Sequence, residues 1–250
     1  MSEWITIHVA HTRGSVPRET GTSMRVSQHE TQGTIGGGTL EWEAMQLARQ
    51  MLDEGRNSLT KVMPLGPDLG QCCGGVVTLE FSQTKAATPH DRPPLFIWGA
   101  GHVGRAIAGV IAPLQDREVT LIDDAPGRLP DPMPAPASPL IAVDMPRAAA
   151  LLQAQADHLV VTYSHRIDLA LCDVLLRHSR GHIGLIGSAT KWARFRKRLA
   201  AMGHSETEIS RIDCPIGDPA LGKHPQAIAI GVAQRMIVIE TQDKRQGRRA

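Results

Sequence analysis

The stretch Leu95–Ile111, LFIWGAGHVGRAIAGVI, decides the fold of the larger part of the chain. Gly99, Gly101 and Gly104 stand in G-x-G-x-x-G spacing between an apolar strand pattern and a helical pattern. In that context the glycines predict a tight turn, a close approach of the backbone to a phosphate, and close packing of helix on strand. The amides at the helix start would face an anion. The stretch predicts a Rossmann turn that binds a phosphate-bearing ligand; a turn kept only for folding is the alternative.

The chain after this stretch alternates short apolar strands with amphipathic helices, which indicates a doubly wound parallel sheet. The predicted strands cover 95–99, 119–123, 140–143, 158–163 and 182–187. The predicted helices lie near 102–114, 146–156, 168–179, 189–202, 206–211 and 225–241. We therefore predict a Rossmann-like domain over 95–241 and a basic tail over 242–250.

The residues before this domain show a different pattern. A polar, proline-rich segment at 82–94 is interpreted as a linker. Ahead of it, strands are predicted at 4–10, 23–27, 33–37, 59–65 and 76–81, with one amphipathic helix over 40–54. The predicted fold class is α/β, with a C-terminal Rossmann-like doubly wound parallel sheet and a smaller N-terminal α+β domain over 1–81.

The composition argues against several classes of protein. A net charge of +2 on 250 residues gives no general argument for binding nucleic acid or a membrane. No apolar run reaches the length of a membrane span, and the N-terminus does not fit a signal peptide. The four cysteines lack the density of a disulfide-stapled secreted domain. We expect a cytoplasmic protein with free thiols.

Polar side chains follow several predicted strands, at the carboxyl edge where ligands bind in open α/β sheets. Asp123 ends the second strand, where an acidic side chain of this fold accepts hydrogen bonds from ribose hydroxyls. His102 stands inside the glycine turn, where a neutral imidazole could bond a phosphate or a pterin edge, or else cap the helix start. His165 has no evident capping role and is a candidate ligand contact, whereas Asp168 is placed as an N-cap.

Two further glycine turns precede helices. In IGLIGSATK, Gly187 and Ser188 precede a helix and Lys191 stands in its first turn, so these residues are expected at the same sheet edge. An ordinary N-cap at Ser188 is compatible with that role. The other turn, in the N-terminal domain, consists of Gly36, Gly37 and Gly38. It predicts a second anion cradle or only a tight strand-to-helix connection.

The segment GQCCGG (70–75) places adjacent thiols, Cys72 and Cys73, before Gly74 and Gly75. Adjacent cysteines do not fit the C-x-x-C spacing of a zinc site. A thiol flanked by glycine is accessible and can be activated by nearby amides or cations. A buried, inert pair is the alternative. Cys172, among leucines on the apolar side of a predicted helix, is interpreted as a core residue.

These motifs together resemble the xanthine dehydrogenase accessory proteins of the XdhC/CoxI family. The resembling segments, in the family's order and over nearly the whole chain, are RGSVPRETGTSMRV (13–26), GTIGGGTLE (33–41), LGQCCGG (69–75), IWGAGHVGRA (97–106), VTYSH…DLAL (161–171), IGLIGSATKWARF (183–195) and CPIG…GKHPQAIAI (214–230). Family members usually carry a helix ahead of the first strand, whereas three residues precede Trp4 here. Either that helix is dispensable or the N-terminus is truncated here, and the packing of the small domain and its dimerisation depend on which of the two holds.

The resemblance implies a homodimeric chaperone that binds the molybdenum cofactor, a molybdopterin-bound metal. It would protect the cofactor or assist its sulfuration in concert with a cysteine desulfurase, and insert it into a xanthine dehydrogenase-like apoenzyme. On the family motif Cys73 is the residue expected to touch molybdenum or a transferred sulfur, with Cys72 the weaker candidate. Gly74 and Gly75 would let the pterin come close. The Rossmann turn would hold the pterin phosphate or a nucleotide.

Two other functions stay open on the residues alone. The glycine spacing and Asp123 fit an NAD(P)-dependent oxidoreductase, although no Tyr-x-x-x-Lys proton relay is present and Tyr163 is the only tyrosine. A sulfurtransferase that carries a persulfide on Cys73 is the third reading. The sequence favours an accessory insertion factor over an enzyme that turns over a small substrate.

Overall fold

The computed structural model describes residues 3–65, 74–84 and 92–245. The chain divides into two compact units, Met1–Thr88 and Pro89–Ala250. Within the described residues, no helix is both long and apolar enough to cross a lipid bilayer.

The smaller unit contains an antiparallel sheet in the order β3-β2-β1-β5-β4. Its strands are β1 (Trp4–Arg13), β2 (Ser23–Val26), β3 (Thr31–Gly33), β4 (Ser58–Pro64) and β5 (Val76–Thr84). One helix, α1 (Gly38–Asp53), shares a buried cluster with the sheet. Because side chains alternate along a strand, Ile5, Ile7 and Val9 all join that core.

The predicted strand at 33–37 is wrong beyond Gly33, where β3 ends. Gly36 and Gly37 have φ angles of 126° and 72°, which an extended strand cannot contain. They form a loop that leads into α1 instead.

The larger unit contains a parallel sheet in the order β11-β10-β9-β6-β7-β8. Its strands are β6 (Pro94–Trp98), β7 (Glu118–Asp123), β8 (Ser138–Ile141), β9 (Asp157–Val160), β10 (Ile183–Leu185) and β11 (Ile212–Asp213). Its helices are α2 (His102–Ile111), α3 (Met145–Ala149), α4 (His165–His178), α5 (Ala189–Ala201), α6 (Glu206–Ile209) and α7 (Pro225–Arg245). The predicted Rossmann-like doubly wound sheet is confirmed, and its strand order reverses between β6 and β9.

Apolar side chains of this sheet enter two separate buried clusters. One contains Trp98, Val160 and the helix residue Cys172, which confirms the core position expected for that thiol. The other contains Ile97, from the same strand as Trp98, and residues of α2 and α7. Since neighbouring residues of one strand point to opposite faces, the helices cover both faces of the sheet.

Several element bounds differ from the prediction. Helix α4 begins at His165, so Ser164 holds the N-cap position and the expected N-cap role of Asp168 is wrong. The short strand β11 was not predicted, because two residues carry no periodicity. Strand β5 continues to Thr84 and β6 begins at Pro94, so both strands enter the segment predicted as a linker.

Candidate functional site

The glycine turn after β6 has the conformation that its spacing predicts. Gly99 has a φ of 110°, and its amide donates to the carbonyl oxygen of Ile122 at 2.8 Å. A Cβ at Gly104 would overlap the carbonyl oxygen of Gly99, so only glycine lets α2 pack this closely. Gly101, by contrast, is exposed and has open space where a Cβ would stand. The start of α2 is therefore accessible from solvent.

Asp123 does not have the free carboxylate that ribose binding requires. The residue is 2% exposed, and its Oδ2 accepts a hydrogen bond from the Ala100 amide at 2.7 Å. Its Oδ1 accepts from the Asp124 amide at 2.8 Å. We expected this carboxylate to meet ribose hydroxyls; in the structure both oxygens hold backbone amides, and the residue braces the glycine turn against the end of β7.

Three residues that the sequence reasoning missed lie at the same edge, and we call Asp124, Arg128 and Tyr163 the clasp. The Tyr163 hydroxyl donates to Asp124 Oδ2 at 2.6 Å. Arg128 Nε lies 3.1 Å from Asp124 Oδ1, and its guanidinium carbon lies 4.0 Å from the centre of the Tyr163 ring. The hydrogen bond lowers the pKa of Asp124 and raises the pKa of Tyr163. The one available signal was an acidic residue directly after a strand with an arginine four positions on.

His102 and His165 are both exposed at this edge. Each is the first residue of its helix, α2 and α4 respectively, and each follows an N-cap position without a side-chain cap bond. The His165 ring meets Phe195 edge-on, with centroids 6.4 Å apart. Both imidazoles are thus accessible at the edge where the sequence predicts a ligand, and their role in binding stays a prediction.

Lys191 is engaged inside the protein. Its Nζ lies 2.6 Å from Asp168 Oδ2 and donates to the carbonyl oxygen of Ile186 at 2.7 Å. Asp168 Oδ1 in turn accepts from the amide and the hydroxyl of Thr162. The two charged side chains are 11% and 2% exposed. The ammonium group expected to meet a ligand therefore serves to fix the loop after β9 to the start of α5.

The turn at Gly187 and Ser188 has a structural role as well. Ser188 is the N-cap of α5, and its hydroxyl accepts from the Lys191 amide at 3.2 Å. A Cβ at Gly187 would lie 2.8 Å from Lys191 Cδ. The alternative interpretation of Ser188 as an ordinary cap is present in the structure; contact with a ligand stays a prediction.

In the smaller unit, the candidate anion cradle is filled by the chain itself. Glu41 Oε2 accepts hydrogen bonds from the amides of Ile35 and Gly37 and from the Thr34 hydroxyl. Partial burial raises the pKa of Glu41, but these hydrogen bonds outweigh it and the pKa lies below its ordinary value. An external anion at Gly36, Gly37 and Gly38 would first have to displace this carboxylate, which corrects the expectation of an open cradle.

The predicted thiol pair, Cys72 and Cys73, lies outside the described residues. Of the flanking glycines, Gly75 packs against the end of β1, where a Cβ would overlap the Ser15 carbonyl oxygen, and its own carbonyl accepts from the Leu65 amide at 2.7 Å. A Cβ at Gly74 would meet no atom of the described residues within 4 Å. Gly75 thus has a packing reason to be glycine.

The two thiols that the structure describes are not activated. Burial raises the pKa of Cys214 to about 11 and raises the pKa of Cys172 further above its ordinary value. In the same described ranges, no group of three or more His, Cys, Asp or Glu side chains could hold a metal ion. If the chain performs thiol chemistry, Cys72 and Cys73 are therefore the candidate residues.

Comparison with known proteins gives matches to both units. Residues 95–235 match the model of the XdhC Rossmann domain, and residues 3–63 match the model of the XdhC and CoxI family. The chain is 29% identical over 236 residues to the uncharacterized protein YqeB of Escherichia coli K12, a match that covers 93% of this chain and 42% of that protein. The chain therefore spans less than half the length of this curated relative.

A crystal structure from Bacillus halodurans, described as a xanthine dehydrogenase, has the same fold. The TM-score is 0.73 with 16% sequence identity, over 96% of this chain and 92% of that one. Identity at this level speaks for the fold alone. The match of the Rossmann model, by contrast, covers more than half of the chain, and a second model of the same family matches the smaller unit. The chain belongs to the XdhC and CoxI family.

Proposed function

We propose that this protein binds the molybdenum cofactor, protects it or assists its sulfuration, and inserts it into a xanthine dehydrogenase-type apoenzyme. The supporting observation is the open glycine turn of the larger unit, in a chain whose two units both match XdhC models. The description of the similar Bacillus halodurans structure as a xanthine dehydrogenase is in keeping with such a target enzyme.

The Rossmann unit would hold the cofactor through its phosphate. The first amides of α2 have no partner within the helix, and the open position at Gly101 lets an anion approach them. His102, exposed at the first position of the helix, would donate to the phosphate or the pterin edge. The exposed His165 lies after β9, at the edge where ligands of this fold bind.

The sulfur-bearing segment of the smaller unit would contact the molybdenum or a transferred sulfur. We assign this contact to Cys73 and secondarily to Cys72, because burial leaves Cys172 and Cys214 protonated at neutral pH. The proposed partners are a cysteine desulfurase, a xanthine dehydrogenase-like apoenzyme and a second copy of this chain. The proposed place of action is the cytoplasm.

The first experiment measures the cargo. The full chain is co-expressed with a molybdenum-cofactor pathway and purified, and its molybdenum and pterin contents are determined. We expect both to co-purify with the wild type, and molybdenum to fall in Cys73→Ala but not in the matched thiol variant Cys214→Ala. Purified protein that contains neither molybdenum nor pterin but binds NAD would contradict the proposal and favour the oxidoreductase.

The second experiment measures delivery. Cofactor-loaded protein is mixed with a cofactor-free xanthine dehydrogenase-type enzyme, and the appearance of xanthine oxidation is followed. Activity should appear with loaded protein and not with the cofactor-free chain. If the loaded chain transfers sulfur from a desulfurase but never activates an apoenzyme, insertion is wrong and the persulfide carrier is the better description.

A further inference from the structure

The clasp bridges two loops across the carboxyl end of β6. In the sheet order β9-β6-β7, Tyr163 follows β9 and Asp124 follows β7, so β6 lies between them. Two strands with a third strand between them are about 10 Å apart, a gap that a tyrosine and an aspartate side chain span together. Their contact at 2.6 Å therefore crosses the line on which the Gly99 turn leaves the sheet.

A dinucleotide bound to this fold crosses the carboxyl end of the same strand. It lies across the crevice where the strand order reverses, with its pyrophosphate at the glycine turn and its two nucleosides on opposite sides of the first strand. Here the first strand is β6 and the reversal lies between β6 and β9. One nucleoside would lie on the β7 side and the other on the β9 side. The linkage that joins them would have to pass through the position that the Tyr163–Asp124 hydrogen bond occupies.

The clasp is held closed by further contacts. Arg128 pairs with the second oxygen of Asp124 and covers one face of the Tyr163 ring. Arg105 on α2 donates to the carbonyl oxygens of both Arg128 and Ala100, at 2.6 and 2.7 Å. The clasp is therefore connected to the glycine turn itself, and both carboxylate oxygens of Asp124 already have partners within the protein.

The acidic residue that normally binds a ribose of the dinucleotide in this fold is also already hydrogen-bonded within the protein. Asp123, at the end of β7, is buried with both oxygens on backbone amides, and Asp124 is engaged in the clasp. Ribose hydroxyls would therefore compete with existing hydrogen bonds on either carboxylate. Gly101 and His102 remain exposed while the clasp is closed, so a small anion still reaches the start of α2.

From this arrangement we propose that Tyr163, Asp124 and Arg128 determine ligand specificity. The closed clasp excludes a dinucleotide and leaves a site for a compact phosphomonoester, such as a pterin that carries a single phosphate. The inference rests on the proposed function for the identity of the ligand, whereas the exclusion of dinucleotides rests on the clasp geometry alone. The three residues act by occupying the path that a dinucleotide would take.

The test uses ADP-ribose, which carries a pyrophosphate and two riboses but no redox group. Calorimetry measures its binding to the full wild-type chain, to Tyr163→Phe, Tyr163→Ala and Asp124→Asn, and to Glu206→Gln. Glu206→Gln is the matched control, because it removes one exposed carboxylate, paired with Arg196, elsewhere in the same unit. We expect wild type and control to bind ADP-ribose weakly, and the clasp variants to bind at least about tenfold more tightly.

Two results would overturn the inference: tight ADP-ribose binding by the wild type itself, or no gain in affinity in any of the three variants. Tyr163→Ala covers the case in which loss of the hydroxyl alone leaves the ring in place against the Arg128 guanidinium. Failure of the proposed function is read separately, from molybdenum and pterin in the purified wild type. If the purified wild type contains neither molybdenum nor pterin while its clasp variants gain affinity for ADP-ribose, the cofactor role is rejected and the inference about the clasp stands.

Discussion

The Asp123 carboxylate accepts a hydrogen bond from the Ala100 amide at 2.7 Å, and this contact ties the glycine turn after β6 to the end of β7. The same carboxylate holds the Asp124 amide. Asp123→Ala should therefore lower the free energy of unfolding by roughly 1–3 kcal/mol for each buried amide left without an acceptor. Urea denaturation of the full chain, followed by tryptophan fluorescence, measures the loss.

Asp124→Ala is the control for that experiment. Its carboxylate is partly exposed and makes surface contacts, so we expect a change within about 1 kcal/mol. Equal stability of Asp123→Ala and wild type would show that the brace is not important and would return Asp123 to the role of a ribose ligand.

The buried pair of Lys191 and Asp168 gives a second prediction. Lys191→Met should destabilise the chain by about 3–5 kcal/mol, because it leaves the Asp168 charge buried without its cation. The double variant Lys191→Met with Asp168→Asn should be more stable than Lys191→Met alone, since no uncompensated charge remains. Denaturant midpoints of the three proteins check the order.

Arg196→Met provides the comparison for the Lys191 series. Arg196 pairs with Glu206 on the surface, with side chains 48% and 66% exposed, so its loss should cost less than about 1 kcal/mol. A Lys191→Met variant as stable as Arg196→Met would contradict a structural role for Lys191 and favour the ligand contact that the sequence suggested.

The contacts of Asp123 and Lys191 show which features of the fold and of the site the sequence predicts and which it does not. Runs of apolar residues buried on both faces of a parallel sheet predict the strands, and the glycine spacing predicts the turn before α2. The same pattern places polar residues at the carboxyl edge but does not choose their partners. Asp168 meets Lys191 and Asp123 meets Ala100 only after strands distant in the chain are brought together. Polar groups expected to bind ligand were therefore found to brace the edge.

The start of α4 was misplaced for a local reason. Ser164 and Asp168 are both residue types that favour the N-cap, and the sequence offers no further signal to choose between them. The structure begins the helix after Ser164 and buries Asp168 in its first turn. The clasp was missed because Asp124 and Tyr163 lie 39 residues apart. Tyr163 belongs to the VTYSH segment, but nothing in the sequence pairs it with Asp124.

In the smaller unit, Glu41 is expected to hold the loop before α1. Glu41→Ala removes the acceptor for the amides of Ile35 and Gly37 and should destabilise this unit by roughly 1–3 kcal/mol. Hydrogen exchange measures the effect locally, as faster exchange of those two amides. Glu43 on the same helix is a poor matched site because it is half-buried, so the exposed Glu54, at the far end of α1, gives the better control as Glu54→Ala. Unchanged hydrogen exchange of the Ile35 and Gly37 amides in Glu41→Ala would contradict the inference that the Glu41 carboxylate holds this loop.

Two groups in the larger unit predict opposite pH dependences of stability. Burial lowers the pKa of His158 to about 4, and the ring stays neutral while its Nδ1 accepts from Trp98 Nε1. Because the unfolded chain binds this proton at higher pH, stability from His158 is present above about pH 6.5 and is lost as the pH falls toward 4. Burial and the neighbouring Glu240 raise the pKa of Asp116 to about 6, so here the folded chain binds the proton first and stability falls as the pH rises from about 4 to 6.

The two contributions oppose one another in the wild type, and single variants separate them. Between pH 4 and 6, the free energy of unfolding of Asp116→Asn should rise with pH more steeply than that of the wild type, and that of His158→Asn less steeply. A single titrating group can change the slope by up to about 1.4 kcal/mol per pH unit, and the half-buried Asp116 will contribute less because solvent screens it. Parallel pH profiles for all three proteins would contradict both assignments.

Alanine substitutions at three glycines of the Rossmann turn and of α2 distinguish effects on folding from effects on ligand binding. Gly104→Ala should destabilise the chain by about 3 kcal/mol or more, since the added Cβ overlaps the Gly99 carbonyl oxygen and backbone must move. Gly101→Ala meets open space and should leave stability nearly unchanged, while its methyl group obstructs the approach of a phosphate to the start of α2. Gly109→Ala, on the exposed side of the same helix, also meets open space and should stabilise the chain by roughly 0.5–1 kcal/mol.

Denaturation and the pterin content of co-expressed protein are measured for all three variants. The expected pattern is loss of stability in Gly104→Ala, loss of pterin at wild-type stability in Gly101→Ala, and full pterin content in Gly109→Ala. Full pterin content in Gly101→Ala would mean that the cargo does not use the helix start, whatever else binds it. Because Gly101→Ala and Gly109→Ala add the same methyl group to open positions of one strand-turn-helix unit, a difference between them reports on the ligand and not on the fold.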